Sequence, residues 1–222
     1  MPSSPSLRIG VSGHRLPPKL PEESEAPLRS HLDRILAAIA ATVRKATTTT
    51  ALVIVSSLAE GSDRIVAEAG LAAGFVLQVV LPFRRAEYAL DFETQASRTE
   101  FDQLLARACD VFELDGGADE RPRAYEAAGL FMLANVDVLI AIWDGEAAAG
   151  IGGTAQIVES AIADGLVVVW IEPTHPNATQ ISLQDSSGAP AGAGAGLKGT
   201  FHPADVATIA RAVDEILTSP RR

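Results

Sequence analysis

Short apolar runs alternate along the chain with segments in which apolar residues recur at helical spacing. The apolar runs predict strands over 7–12, 51–56, 75–81, 110–114, 136–143 and 166–171. The helical spacing predicts helices over 24–46, 62–73, 99–108, 123–134, 154–163 and 203–217. Because three of the predicted strands (75–81, 136–143 and 166–171) are nearly continuous apolar runs, they are expected to be covered on both faces. The alternation predicts an α/β fold, a Rossmann-like, doubly wound and mainly parallel sheet with helices on both faces.

The segments between these elements predict how the chain is organised. We interpret residues 1–222 as one domain, since a 222-residue chain with 47% hydrophobic content can bury a substantial core. Residues 1–6 are predicted to be a disordered start, and 173–200, rich in Gly, Ala and Pro, a mobile insertion. The Pro-rich piece 17–27 is predicted to be a loop. The polar and aromatic segment 83–97 is predicted to form a lid or short helix over a pocket.

Composition narrows the classes of partner. The net charge is −10 and the basic residues are scattered, so binding to nucleic acid is not expected. No apolar run approaches the roughly 20 residues of a membrane helix, and the first residues lack the features of a signal peptide. We therefore expect a cytoplasmic protein with no membrane partner. The lone Cys109, flanked by apolar residues, is predicted to be a buried thiol.

Small and polar residues follow three of the strands, directly before helices. The carboxyl ends of parallel strands meet at one edge of the sheet, where helix N-termini bind anions. The turns at 10–15, 57–63 and 150–154 thus predict one nucleotide-sized pocket for a small-molecule ligand. The expected ligand and phosphate contacts are Gly13, His14, Arg15, Ser57, Gly61, Ser62, Asp63, Gly152, Gly153 and Thr154. Neither a Walker loop nor the G-x-G-x-x-G fingerprint is present.

Several side chains near these turns have two interpretations. Arg15 could clamp a phosphate or anchor its loop, and His14 could act as an acid or base or be structural. Glu60 and Asp144 are the candidate catalytic carboxylates if the protein is an enzyme that cleaves an N-glycosidic bond. The aromatic residues Tyr88, Phe92 and Phe101 could stack on a base or pack in the core, whereas Trp143 is predicted to be core. No cluster has metal-ligand spacing, so no metal or resident cofactor is expected.

The turns resemble those of the SLOG superfamily, which unites the DNA-processing protein DprA (Smf) with the Lonely Guy phosphoribohydrolases. Residues 56–63, SSLAEGSD, are similar to the Ser-Gly-Leu-Ala-Arg-Gly-Ile-Asp turn of DprA, and VSGHR at 11–15 is similar to its Val-Gly-Ser-Arg turn. Residues 150–154, GIGGT, resemble the Pro-Gly-Gly-x-Gly-Thr turn of the Lonely Guy enzymes. The matches span residues 7–171.

This resemblance implies a Rossmann-like fold that binds nucleotides or nucleotide-derived ligands, with Gly13, Arg15, Gly61 and residues 152–154 as contacts. It also implies a possible homodimer, since members commonly dimerise. Lonely Guy enzymes place a catalytic Glu three residues after the motif Thr, where this chain has Ile157, preceded by Gln156. We therefore favour a sensor-type binding protein, with N-glycosidic hydrolysis of nucleoside monophosphates or NAD/ADP-ribose-type ligands as the alternative.

Overall fold

In the computed structural model, the residues that are described form one eight-stranded sheet with helices on both faces. The residues described are 6–15, 21–47, 49–147, 151–182 and 201–218. The strands are β1 (Ser6–Gly13), β2 (Ala51–Ser56), β3 (Val76–Leu81), β4 (Ala108–Glu113), β5 (Val138–Ile142), β6 (Val167–Ile171), β7 (Gln180–Ser182) and β8 (Phe201–Pro203). The α-helices are α1 (Glu22–Ala46), α2 (Ser62–Ala72), α3 (Arg85–Tyr88), α4 (Gln95–Leu105), α5 (Arg121–Leu133), α6 (Thr154–Ala163) and α7 (Val206–Thr218).

The order of the strands creates a crevice in the middle of the sheet. The order is β4-β3-β2-β1-β5-β6-β7-β8, and β1 to β6 are all parallel. The chain runs outward from β1 to β4 and then returns to the other side of β1 with β5. Loops after β1 and β5 therefore diverge to opposite faces, which opens the position where α/β sheets bind ligands. The mainly parallel, doubly wound sheet is confirmed.

Two apolar cores cover the two faces of the sheet. The larger one joins α1, α2, α4 and α7 to residues such as Ile9 and Ile54, and the smaller one joins α5 and α6 to residues such as Leu139 and Val168. Strands β5 and β6 contribute to both cores, and every residue of β5 is buried. Continuous apolar runs are needed because neither face of these central strands meets water.

The sheet differs from the prediction at its two ends. The short strands β7 and β8 are antiparallel to their neighbours, and β7 lies inside the segment 173–200 predicted to be a mobile insertion. Residues 183–200 of that segment lie outside the described residues, as do residues 1–5 of the predicted disordered start. Ser6, included in that start, instead begins β1. The prediction of a buried Cys109 was wrong, because β4 is an edge strand and its thiol is exposed.

Helix boundaries also differ from the sequence prediction. Helix α1 begins at Glu22 and contains Pro27, so the end of the predicted loop 17–27 is helical. Residues 16–20 lie outside the part of the chain that is described. Helix α4 begins at Gln95, capped by the side chain of Thr94, four residues before the predicted start at Thr99. Its first turn is polar, so apolar spacing did not reveal it.

Helices α5 and α6 cross at a point where there is no room for a side chain on Gly129. A Cβ atom there would lie 2.4 Å from Cδ1 of Ile157 and 3.0 Å from its Cγ1. We expect Gly129→Ala to lower the free energy of unfolding by about 1–2 kcal/mol, because overpacking outweighs the gain in helix propensity. Chemical denaturation measures this change.

Ile157→Val provides the matched background, since it removes Cδ1 alone. In the Ile157→Val background, Gly129→Ala is expected to lower the free energy of unfolding by at least about 1 kcal/mol less than it does in the unaltered protein. A double-mutant cycle reports this difference as the coupling energy between the two positions. An equal cost in both backgrounds would show that the α5–α6 crossing is not the constraint.

Candidate functional site

A cavity of about 500 Å³ opens at the carboxyl ends of the strands, beside β1 and β5. Its size falls within the range of small-molecule sites. Among the predicted contacts, the lining includes Gly13, His14, Arg15, Ser57, Asp63, Gly152, Gly153 and Thr154. The lining does not include Glu60, Gly61 or Ser62, which lie in the turn at 57–63, or Asp144, which follows β5. Gly150 lies outside the described residues.

The turn after β1 packs directly on the start of α2. A Cβ atom on Gly13 would lie 2.5 Å from Cβ of Ser62, so the two turns meet at backbone contact. The carbonyl of His14 accepts hydrogen bonds from Ser62 N at 3.2 Å and from Ser62 Oγ at 2.8 Å. Ser62 is therefore a buried structural contact between the first two turns rather than part of the cavity wall.

His14 connects the turn after β1 to the end of β5. Its backbone N–H donates to the carbonyl of Ile142 at 3.0 Å. Its Nε2 atom lies 3.1 Å from the backbone N of Asp144 and 3.0 Å from Oδ1 of the same residue. The side chain of Asp144, a candidate catalytic carboxylate, thus binds His14 beside the cavity and is not part of the cavity lining.

The turn after β2 is closed by the buried carboxylate of Asp63. This carboxylate accepts backbone hydrogen bonds from Ser57 and Ala59, and Oγ of Ser56 accepts one from Leu58 N at 3.0 Å. Gly61, with φ 88° and ψ −120°, has a conformation that favours glycine. The expectation that this turn presents free N–H groups to an anion is therefore not met at residues 57–59, where the groups are already bonded.

Arg64, which the sequence analysis did not single out, supports this turn from behind. Its side chain is 2% exposed and donates from Nε to the carbonyl of Leu58 at 3.1 Å. Leu58 has φ 55°, a left-handed conformation that is rare for a branched side chain and needs support. The guanidinium also bonds Ser97 and Glu100 of α4, and Ser97 Oγ donates to Glu60. Glu60 thus bonds α4, away from the cavity lining.

Asp63 is the most perturbed carboxyl group that lines the cavity. Its side chain is buried, and burial raises the pKa of Asp63 from 3.8 to about 6. The hydrogen bonds from Ala59 and Ser57 and the positive charge of Arg15 oppose this shift. The carboxyl group is therefore largely ionised at neutral pH, where it can only accept hydrogen bonds.

The turn before α6 leaves helix N–H groups open to the cavity. Gly152, with φ 79°, donates its N–H to the side chain of Gln156 at 2.7 Å, and Gln156 in turn donates to Glu126. The N-cap residue Gly153 supplies no side-chain cap. The N–H groups of residues 154–156 have no partner within the helix, because the first turn of any helix leaves them unpaired. Thr154 and Ala155 line the cavity at this point.

A cluster of aromatic residues packs behind one part of the cavity lining. Tyr88, Phe92 and Phe101 are buried and stack on one another with ring centroids 5.0–5.8 Å apart. Of the two interpretations left open, Phe92 and Phe101 are therefore core residues, whereas Tyr88 also lines the cavity. The segment 83–97 consists of α3, a 3-10 turn at Ala89–Asp91 and the start of α4, and it contributes Tyr88 to the lining.

Polar contacts join the segment 83–97 to α5. Asp91 accepts hydrogen bonds from Arg121 and from the hydroxyl of Tyr125. The guanidinium of Arg15 lies over the ring of Tyr125, 5.5 Å from its centroid. Arg15 is exposed and lines the cavity, so its positive charge is available to a ligand.

Trp143 has both a core and a cavity role. It is 2% exposed and its ring packs at 5.3 Å from that of Trp170, as predicted for a core residue, yet it also lines the cavity. Within the described ranges, no group of His, Cys, Asp and Glu side chains could hold a metal ion. Nor does any helix in those ranges have the length and apolar character needed to cross a membrane.

Comparison with solved structures places the fold among known proteins. No family model and no curated protein matches the chain. DNA processing protein A from Helicobacter pylori is similar over 97% of this chain and 81% of its own, with a TM-score of 0.54 and 18% identity. The molybdenum cofactor carrier protein from Chlamydomonas reinhardtii is similar over 96% of this chain and 99% of its own, with a TM-score of 0.50 and 17% identity. The chain therefore shares its α/β fold with these two proteins.

A third similar structure is longer than this chain. The chain spans half of the length of DNA processing protein A from Streptococcus pneumoniae, which matches 75% of this chain at 18% identity with a TM-score of 0.47. At these identities the likeness concerns the fold alone, and the function is argued from the cavity.

The raised pKa of Asp63 predicts that stability depends on pH. The folded protein holds the Asp63 proton up to about pH 6, whereas the unfolded chain releases it near pH 3.8. The contribution of Asp63 to the free energy of unfolding should therefore fall by roughly 1.4 kcal/mol between about pH 5 and about pH 7.5. Urea denaturation at both pH values gives the free energy of unfolding of the protein and of Asp63→Asn. The difference between the two proteins at each pH measures the contribution of Asp63.

The same titration can be followed without a variant. The carboxyl carbon resonance of Asp63 is expected to titrate with a midpoint near pH 6. A midpoint near the ordinary value of an aspartate, or a stability difference that is independent of pH, would contradict the burial argument.

Proposed function

We propose that the protein binds a nucleotide or a nucleotide-derived small molecule in the cavity and acts as a sensor-type binding protein. The observation that carries the proposal is the uncapped N-terminus of α6, which meets a cavity of about 500 Å³ also lined by Arg15. Unpaired N–H groups and the helix dipole favour a phosphate at this position. Arg15 supplies a second, charge-assisted contact from the turn after β1.

The geometry supports binding more than cleavage. The position that carries the catalytic Glu in the Lonely Guy resemblance is Ile157, which is 3% exposed and lines the cavity with an apolar side chain. Glu60 and Asp144 are bonded to Ser97 and His14 respectively, outside the lining. An N-glycosidic hydrolase would need another carboxylate, and Asp63 and Glu146 are the acidic residues in the lining.

Single-stranded DNA is a weaker candidate ligand. The similar Helicobacter pylori protein binds single-stranded DNA, but this chain has a net charge of −10. Neutralising several phosphates requires a basic surface, and the described lining contributes one arginine to the cavity.

Incubation with defined ligands tests the proposal. The purified protein is mixed with the four ribonucleoside monophosphates, NAD, ADP-ribose or a single-stranded oligonucleotide, then examined by native mass spectrometry and for released base. We expect at least one nucleotide to be retained intact. Release of base at a rate proportional to protein concentration would make the protein a hydrolase, and retention of the oligonucleotide alone would contradict the proposal.

Arg15→Gln is expected to weaken binding of the retained nucleotide by roughly 10- to 100-fold, because a charge-assisted contact to phosphate is lost. Arg107→Gln is the matched control, since Arg107 is exposed, follows the end of α4 and is not one of the lining residues. Isothermal titration calorimetry measures both. Equal affinities for the two variants would remove Arg15 from the site.

A further inference from the structure

The side chain of Tyr88 brings a hydroxyl group to the cavity. Tyr88 is 1% exposed and lines the cavity, and its ring is fixed by Phe83, Phe92 and Phe101. Within the described part of the chain, its hydroxyl makes no hydrogen bond, in contrast to that of Tyr125, which donates to Asp91. A hydroxyl group that lines a cavity and makes no hydrogen bond to the protein can donate to a ligand and accept from it.

Asp63 and Arg15 line the same cavity as Tyr88, and their charges act on its hydroxyl. The negative charge of Asp63 and the burial of the phenol both raise the pKa of Tyr88, while the charge of Arg15 opposes the shift. The phenol therefore stays protonated and can donate as well as accept. Asp63, ionised near neutral pH, can only accept, and Arg15 can only donate.

This combination of groups selects the chemistry of a ligand. A second phosphate would be repelled by the carboxylate of Asp63, and a cation by Arg15. A group that both donates and accepts, as an alcohol does, satisfies the carboxylate and the phenol together. The Asp63–Tyr88 end of the cavity therefore favours neutral hydroxyl groups.

The distance between Asp63 and the N-terminus of α6 indicates which hydroxyl groups of a ligand bind here. Asp63 follows β2 and α6 follows β5, and these two strands flank β1. Two strand spacings separate them by roughly 10 Å. That separation suits a phosphate at one side and the sugar attached to it at the other, each within hydrogen-bonding reach.

We infer that Asp63 and Tyr88 bind the ribose hydroxyl groups of a ribonucleotide whose phosphate lies at the N-terminus of α6. This inference rests on the proposed function and adds a specificity to it: the site discriminates ribose from deoxyribose. The base can pack against an apolar part of the lining that consists of Ala128, Met132 and Ile157. Recognition of the ligand is thus assigned to its sugar and phosphate.

A comparison of ribonucleotides with their dideoxy counterparts tests the inference. Calorimetric titrations near neutral pH use the four ribonucleoside monophosphates and the four dideoxynucleoside monophosphates. At least one ribonucleotide is expected to bind about 10- to 100-fold more tightly than its dideoxy form, because hydrogen bonds to a buried charged group are lost. Equal affinity within every pair would overturn the inference and leave the proposed function standing.

Tyr88→Phe removes the hydroxyl and keeps the aromatic packing. It is expected to reduce the preference for ribose by about tenfold without lowering thermal stability. Tyr125→Phe is the matched control, because its hydroxyl is already bonded to Asp91, and it should retain the preference. A preference that is unchanged in Tyr88→Phe would remove Tyr88 from the subsite.

The two failures remain distinguishable. If no monophosphate binds, the inference is overturned, and the NAD and ADP-ribose arms of the incubation decide whether the proposed function survives. If Tyr88→Phe does not fold, the comparison of ribose and dideoxyribose in the unaltered protein decides the question alone.

Discussion

The buried carboxylate of Asp63 organises the edge of the sheet at which the cavity opens. It closes the turn after β2 by accepting the N–H groups of Ser57 and Ala59, and it lines the cavity. Burial of a carboxylate is unfavourable unless hydrogen bonds satisfy it. The hydrogen bonds that satisfy Asp63 come from the backbone of the turn and therefore fix its conformation. The strained Leu58 and the buried Arg64 follow from the same arrangement, because the turn must reverse within few residues.

The three similar turns of the sequence therefore have different roles. The turn after β1 supplies Arg15 and packs through Gly13 on Ser62, and the turn after β2 is internally bonded and acidic. The uncapped N-terminus of α6 follows the third turn. Phosphate is favoured near Arg15 and α6, whereas the acidic turn favours groups that donate hydrogen bonds. One cavity with two chemically distinct ends fits an asymmetric ligand such as a nucleotide.

Sequence patterns predicted the fold well because central strands such as β5 and β6 are apolar along their whole length. Helix α6 was predicted with its observed bounds, Thr154–Ala163, since a Gly–Thr start and apolar spacing coincide there. The three-residue strands β7 and β8 were missed because so few residues carry no periodicity. The edge position of Cys109 and the partners of Asp63 depend on contacts between distant segments. Tyr88 offered one local signal, a polar aromatic residue shortly after a strand that ends at the cavity.

A crystal structure with a bound ribonucleoside monophosphate tests the central claim most directly, the position of the phosphate. We expect phosphate oxygens within hydrogen-bonding distance of the backbone N–H groups of Thr154 and Ala155, with Arg15 in contact. A phosphate bound against residues 57–59, or a nucleotide bound outside the cavity, would contradict it. The first outcome would also establish the turn before α6 as the anion site among the three.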